Sequence, residues 1–310
     1  MTATSPRVLD TAADDQVLAE FMAPYHGRTR ANVTYYVRWW REWLTGRGVG
    51  LLEARAYDAE QWVRHLVEDR GLHTNTARSY LSGPMTLYRW CEATGRLEAD
   101  PMRHVRRPAD TRRTMRPWLT GPELRRLLDV AAGMDPDTDL ICHLLALNGP
   151  RVGELVRVDV RDIAQHGDLT TIRLQRTKTA ASDLVSLSAP TLRALTRVLE
   201  IRPRYGPLLI SEHTGQRMSP WGVRRRLRAA LATAGLNTAI APHDLRATFI
   251  TLSRVAGVPG VDVAISAGIV TVSMLLRYDQ MVAAVERNAT HGLTTWLNAL
   301  PDTTPTEERP

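Results

Sequence analysis

The stretch Arg103-His104-Val105-Arg106-Arg107-Pro108-Ala109-Asp110-Thr111-Arg112-Arg113-Thr114-Met115-Arg116-Pro117-Trp118-Leu119-Thr120-Gly121-Pro122-Glu123 divides this chain. Its basic part holds six arginines (103, 106, 107, 112, 113 and 116) against one acid, Asp110, with Pro108 and Pro117 and no apolar periodicity. That composition predicts an inter-domain linker over 103–117. The end of the stretch is a helix start: Thr120 stands at an N-cap, Pro122 falls in the first turn and Glu123 completes a capping box. Two domains are therefore expected, over 12–102 and 118–300, with disordered ends at 1–11 and 301–310. The arginines have two readings, a solvated linker or a strap lying on phosphates, where each phosphate neutralised releases counterions and adds affinity without reading sequence.

Outward from this boundary, composition narrows the function classes. A net charge of +7 over 310 residues favours a polyanionic partner, nucleic acid or an anionic membrane face. No apolar run approaches the roughly 18–20 residues of a membrane span, and the first fifteen residues are polar, so a soluble, cytoplasmic protein is expected. Cys91 and Cys142 lie in apolar helical patterns and form neither a disulfide framework nor a metal-ligand cluster; buried free thiols are expected.

Before the boundary, Val17, Phe21, Tyr35, Tyr36, Trp39, Trp40 and Trp43 recur at helical spacing, followed by Tyr80, Leu81, Met85, Leu87, Tyr88 and Trp90. These aromatics are read as core, with Arg28, Arg30, Arg38, Arg41, Arg78 and Arg89 facing outward. After the boundary, helical periodicity runs to Ala132 and again from Leu140 to Leu147. Asn148-Gly149-Pro150-Arg151 then turns into a short helix carrying Glu154. Strand-like runs at Leu169 to Gln175 and Leu184 to Leu187 flank Lys178, which falls at a hairpin tip. Ser219-Pro220 starts a helix in which Arg224, Arg225, Arg226 and Arg228 crowd one region, and Pro242-His243-Asp244 starts another that ends near Gly257.

Lys178 is the one lysine among forty basic residues. Guanidinium stays protonated at any biological pH, whereas an ammonium near other cations can give up a proton, so a unique lysine suggests a general acid; a lysine on a solvated turn is the plain alternative.

Read in order, these residues resemble the tyrosine recombinase (phage integrase) family over nearly the whole chain. Gly149-Pro150-Arg151-Val152-Gly153-Glu154-Leu155 looks like its first-arginine motif, Thr177-Lys178-Thr179 like its hairpin lysine, His243-Asp244-Leu245-Arg246 like its His-x-x-Arg box, and Arg277-Tyr278 like its nucleophile motif. The resemblance implies a mainly α fold with a small antiparallel β-sheet: a helical core-binding (SAM-like) domain and a mixed α/β catalytic domain forming a clamp on double-stranded DNA, of the simple type without an arm-binding domain. It implies a homo-tetramer in the synaptic complex, monomer or dimer when free, with a directionality factor among the accessory partners and a nucleoid-associated location. No membrane partner is expected.

Phosphodiester attack explains the residue types. Charge grows on the non-bridging oxygens, which Arg151 and Arg246 suit as planar forks. Tyr278 is the candidate nucleophile, forming a 3′-phosphotyrosyl bond that conserves the energy of the broken one, so neither metal nor cofactor is required. Lys178 would protonate the departing 5′-oxygen, His243 would accept the tyrosyl proton, and Glu154 would orient the cations. Arg106, Arg107, Arg112, Arg113, Arg224 and Arg225 are the candidate DNA-contacting arginines. Nine residues before Tyr278, where the family usually carries a second histidine or a tryptophan, stands Ile269, which donates no hydrogen bond; His291 is a poor substitute. A slowed recombinase is the favoured consequence. A weak or inactive DNA-binding regulator and a type IB topoisomerase-like enzyme are the alternatives. Val282 to Leu300 is expected to be an amphipathic helix docking on a neighbouring subunit or on its own.

Overall fold

The computed structural model describes residues 11–109, 117–176 and 182–269, with Ala299. The chain divides into two compact units, Met1–Thr114 and Met115–Pro310.

In the first unit the described helices are α1 (Thr11–Met22), α2 (Gly27–Thr45), α3 (Ala56–Arg64) and α4 (Thr74–Ala93), with a 3-10 turn at Leu51–Glu53 and a π turn at His65–Asp69. Helix α2 crosses α4 closely because Gly83 leaves room: a Cβ there would lie 2.8 Å from the Tyr36 Cβ. The core below is largely aromatic. Trp40 and Trp62 are fully buried with ring centroids 4.9 Å apart. The buried Tyr88 hydroxyl accepts from Trp40 Nε1 at 2.8 Å and donates to the Leu51 carbonyl at 2.7 Å, so these polar groups are satisfied without charge. Tyr35 departs from the all-core expectation. It is 42% exposed, because the inward stripe of α2 is Val37, Trp40 and Leu44, and its hydroxyl meets that of Tyr80 at 2.7 Å.

Residues 103–109 of the basic stretch pack along this unit. Val105 is buried, Arg107 Nε donates to Met85 Sδ at 3.1 Å, Arg103 pairs with Glu92, and the Pro108 carbonyl accepts from Arg78 at 3.1 Å. A piece of chain with no regular secondary structure and no periodicity of its own is thus held by single side chains.

The second unit opens with α5 (Gly121–Ala132), whose capping box is formed: Glu123 Oε2 accepts from the Thr120 backbone N–H at 2.8 Å and Thr120 Oγ1 from that of Glu123 at 3.4 Å. Helix α6 (Pro136–Leu147) begins on an Asp135 cap and is buried at every residue from Asp137 to Ala146. A helix buried all round is a central one, and α5, α8 (Ala189–Glu200), α9 (Pro220–Thr233) and α10 (Pro242–Val255) pack on it. Between α6 and α8 lie the one-turn helix α7 (Val152–Leu155) and an antiparallel sheet β1-β2-β3 of Ile163–His166, Leu169–Gln175 and Ser182–Ser186. The pairing Ile172↔Val185 and Arg173↔Leu184 sets the hairpin register. Helix α11 (Gly260–Ala267) follows α10.

Strand β1 was not legible in the sequence: it is four residues long and three are exposed, so it carries no alternation. Its two-residue connection through Gly167 (φ +59°) and Asp168 is the sign that marks it. Cys91 and Cys142 are buried free thiols, pushed by burial up to about 11 and about 12, so neither is a thiolate at neutral pH. Among the described residues no helix is long and apolar enough to cross a membrane. The expected helix over 282–300 lies outside them.

Candidate active site

The turn after α6 organises the site. Asn148 Nδ2 donates to the Ser186 carbonyl at 2.9 Å, tying the helix end to β3. Gly149 then takes φ +59°, and a Cβ at this position would lie 2.5 Å from Phe249 Cδ1, so both conformation and space demand glycine. Its carbonyl accepts from Arg246 Nη1 at 2.7 Å. Pro150 ends the turn and Arg151 caps α7, where Glu154 accepts from the Arg151 backbone N–H (Oε2, 3.0 Å) and guanidinium (Oε1, 2.8 Å). One turn thereby holds a guanidinium on each side. Arg246 is 1% exposed, whereas the Arg151 side chain keeps 23% of its surface.

Glu154 is wholly buried. Burial alone would push its carboxyl up, but hydrogen bonds from the Arg151 backbone and side chain and the charges of Arg151 and Arg176 hold it below the ordinary carboxylate range. It is therefore an anion at neutral pH and holds the Arg151 guanidinium in place.

His243 stands in the first turn of α10, exposed, three residues before Arg246 on the same helix. Asp244 Oδ2 accepts from the Ala241 N–H at 2.9 Å and secures that turn. Ile269 follows the left-handed Gly268 that ends α11, donates its N–H to the Ala264 carbonyl at 2.8 Å, and packs half-buried against an apolar cluster of Ala247, Ile250, Val263 and Ala267. Lys178, Tyr278, Arg112, Arg113 and His291 lie outside the described residues.

The remaining arginines are dispersed. Arg106 and Arg107 are exposed on the first unit. Arg224 and Arg225 are exposed on α9, with Arg225 5.9 Å from the ring centre of the exposed Trp221. Arg226, read from sequence as part of the same crowd, turns inward and pairs with Asp135 at 2.5 Å and Glu212 at 2.6 Å.

Sequence reasoning missed Arg176. It is buried, and its Nη1 donates to Glu154 Oε2 at 2.9 Å, its Nε to Asp183 Oδ2 at 2.5 Å and its Nη2 to the Ser266 carbonyl at 3.3 Å. The signal was the period of β2: Ile172 and Leu174 are buried, and two residues further alternation brings Arg176 to the same side.

Residues 117–284, more than half of the chain, match the family model described as Phage integrase family. The chain belongs to that family and is a tyrosine site-specific recombinase. Among its curated relatives are tyrosine recombinase XerD of Rhizobium meliloti (strain 1021), 28% identical over 221 residues covering 67% of this chain and 70% of that protein, and XerD of Mycobacterium tuberculosis (strain CDC 1551 / Oshkosh), 30% identical over 210 residues covering 63% and 61%. The same fold is present in XerH site-specific recombinase bound to its palindromic difH substrate in a post-cleavage complex, at 15% identity and TM-score 0.72 over 87% of this chain and 80% of that one. It is present too in a lambda integrase tetramer bound to a Holliday junction, at 16% identity and TM-score 0.67 over 85% and 76%.

Proposed function

We propose that this recombinase cleaves and rejoins duplex DNA through a 3′-phosphotyrosyl intermediate formed on Tyr278. The observation that carries the reading is the Gly149 turn, which fixes Arg246 through its carbonyl and starts the helix whose Glu154 fixes Arg151. Cationic forks fixed before substrate arrives need no reorganisation as charge develops on the non-bridging oxygens.

In the cleavage step the Tyr278 oxygen bonds to phosphorus and its proton passes to His243. The bond to the 5′-oxygen breaks, and that oxygen takes a proton from Lys178, leaving a free 5′-hydroxyl. Rejoining is the reverse, with a 5′-hydroxyl attacking the phosphotyrosine. Four protomers acting on two duplex sites is the assembly we assign, after the lambda integrase tetramer, with accessory proteins setting direction. The exposed arginines Arg106, Arg107, Arg224 and Arg225, with Arg112 and Arg113, are assigned to phosphate contacts. Ile269 supplies packing where a donor is expected, which we take to slow cleavage.

The test is incubation with a nicked suicide substrate followed by a denaturing gel. The parent chain should form a covalent protein–DNA adduct, and Tyr278→Phe should bind DNA with unchanged affinity and form none. An adduct surviving in Tyr278→Phe would assign the nucleophile elsewhere. A parent that binds DNA without any adduct would be a recombinase-like regulator instead.

A further inference from the structure

We propose that Arg176 is a positioning residue for Arg151, acting through the Glu154 carboxylate that the two guanidiniums share; this rests on the assignment of Arg151 to the phosphate. Each side-chain nitrogen of Arg176 already donates within the protein, Nη1 to Glu154, Nε to Asp183 and Nη2 to the Ser266 carbonyl, so it acts through its neighbours and not on DNA. Its partners divide Glu154 in two. Oε1 belongs to the Arg151 guanidinium, while Oε2 accepts from Arg176 and from the Arg151 backbone N–H. Two cations and two anions balance in one linked group, with Glu154 and Arg176 buried at its centre and Arg151 and Asp183 at its edges, keeping 23% and 39% of their side-chain surface.

Removing the Arg176 charge leaves Oε2, among the described residues, with only the Arg151 backbone N–H as partner. The whole carboxylate charge then falls to Arg151, whose planar fork closes on both oxygens. Because the Glu154 carboxylate is wholly buried, that closer pairing takes positive potential and N–H groups away from a phosphate. Gly268 gives a second link. A Cβ there would lie 2.6 Å from Arg176 Cζ, and its carbonyl accepts from Arg151 Nη2 at 3.4 Å. The residue against which the Arg176 guanidinium packs is thus also a partner of Arg151.

The experiment uses the full chain and measures single-turnover cleavage of a suicide substrate, DNA affinity and urea midpoint. Arg176→Gln is expected to cleave about 10- to 100-fold more slowly with DNA affinity within about threefold of the parent. Adding Glu154→Gln, which removes the charge that captures Arg151, is expected to recover at least about fivefold of that loss. A residue with only a structural role gives the opposite, a double variant as slow as Arg176→Gln or slower. Where Arg176→Gln does not fold, Arg176→Gln with Asp183→Asn, which leaves no second carboxylate unpaired, is compared with and without Glu154→Gln for the same recovery. Cleavage by Arg176→Gln within twofold of the parent, absence of recovery, or failure of every such variant to fold overturns the proposal while the parent still forms its adduct on Tyr278. A parent that forms no adduct overturns the function reading and this proposal together.

Discussion

Trp40 with Tyr88 in the first unit and Glu154 with Arg151 and Arg176 in the second satisfy their buried polar groups by different chemistry. The first pair passes one hydroxyl between an indole N–H and a backbone carbonyl, and the charged residues buried in that unit, Asp14 and Asp58, each keep 9% of their surface. The second unit buries Asp137, Asp139, His143, Glu154, Arg176, Arg226, Asp244 and Arg246. Desolvating an ion costs several kcal/mol even after relaxation, and a buried pair seldom returns more stability than apolar packing. Charge placed there is kept for its geometry. The first unit is built to fold and to turn arginines outward; the second spends stability on holding guanidiniums still.

The largest expected effect breaks that contrast at its centre. Glu154→Ala leaves Arg176 and Arg151 without their shared acceptor and should destabilise the protein by about 3–5 kcal/mol in urea unfolding. A loss under about 1 kcal/mol would mean that the second core is held by packing, as the first is. Tyr88→Phe should cost less, about 1–3 kcal/mol, because it strands the neutral Trp40 N–H and Leu51 carbonyl and no charge. Equal losses from the two substitutions would erase the distinction.

Acid sharpens the same difference. Burial opposes the charged form of Glu154 and Asp139, but hydrogen bonds and electrostatic attraction from their partners, Arg151 and Arg176 for one and His143 and Arg197 for the other, hold both pKa values below their ordinary 4.5 and 3.8. For groups so depressed the stabilising contribution is full above the ordinary value and is lost as pH falls through the folded one. Thermal unfolding should therefore be insensitive to these groups from pH 7 to 5 and weaken below about 4, and Glu154→Gln should flatten that acid limb. A limb unchanged by the substitution would remove Glu154 from the account.

The smallest stability effect belongs to the first unit's surface. Arg106→Gln with Arg107→Gln should change stability by less than about 0.5 kcal/mol each, yet lower the magnitude of the salt slope of DNA binding by up to about 2 units. An unchanged slope would leave these arginines as solvated charge.

The helix starts of the second unit were legible because Thr120, Ser219 and Pro242 act within one turn, and local chemistry is what a sequence displays directly. The Arg151, Glu154 and Arg246 motifs were legible for the same reason, each lying within a few residues of its own helix start. Arg176 was not, because its meaning depends on Glu154, Asp183 and Ser266 from three other segments. Tyr35 was misread because helical spacing groups it with Trp39 while α2 turns it to the flank. Lys178 and Tyr278 lie outside the described residues, and their assignment rests on the motifs alone.

Gly149 has a consequence for how activity can vary. Its left-handed turn presents a carbonyl to one guanidinium and, three residues later, begins the helix that seats the other. The two cations are therefore coupled parts with one shared mounting: a side chain added at that mounting shifts both, and neither can be adjusted there without the other. With Arg151 and Arg246 acting as proposed, a side chain at Gly149 is expected to switch both off together, and graded changes in cleavage are expected from residues one step removed.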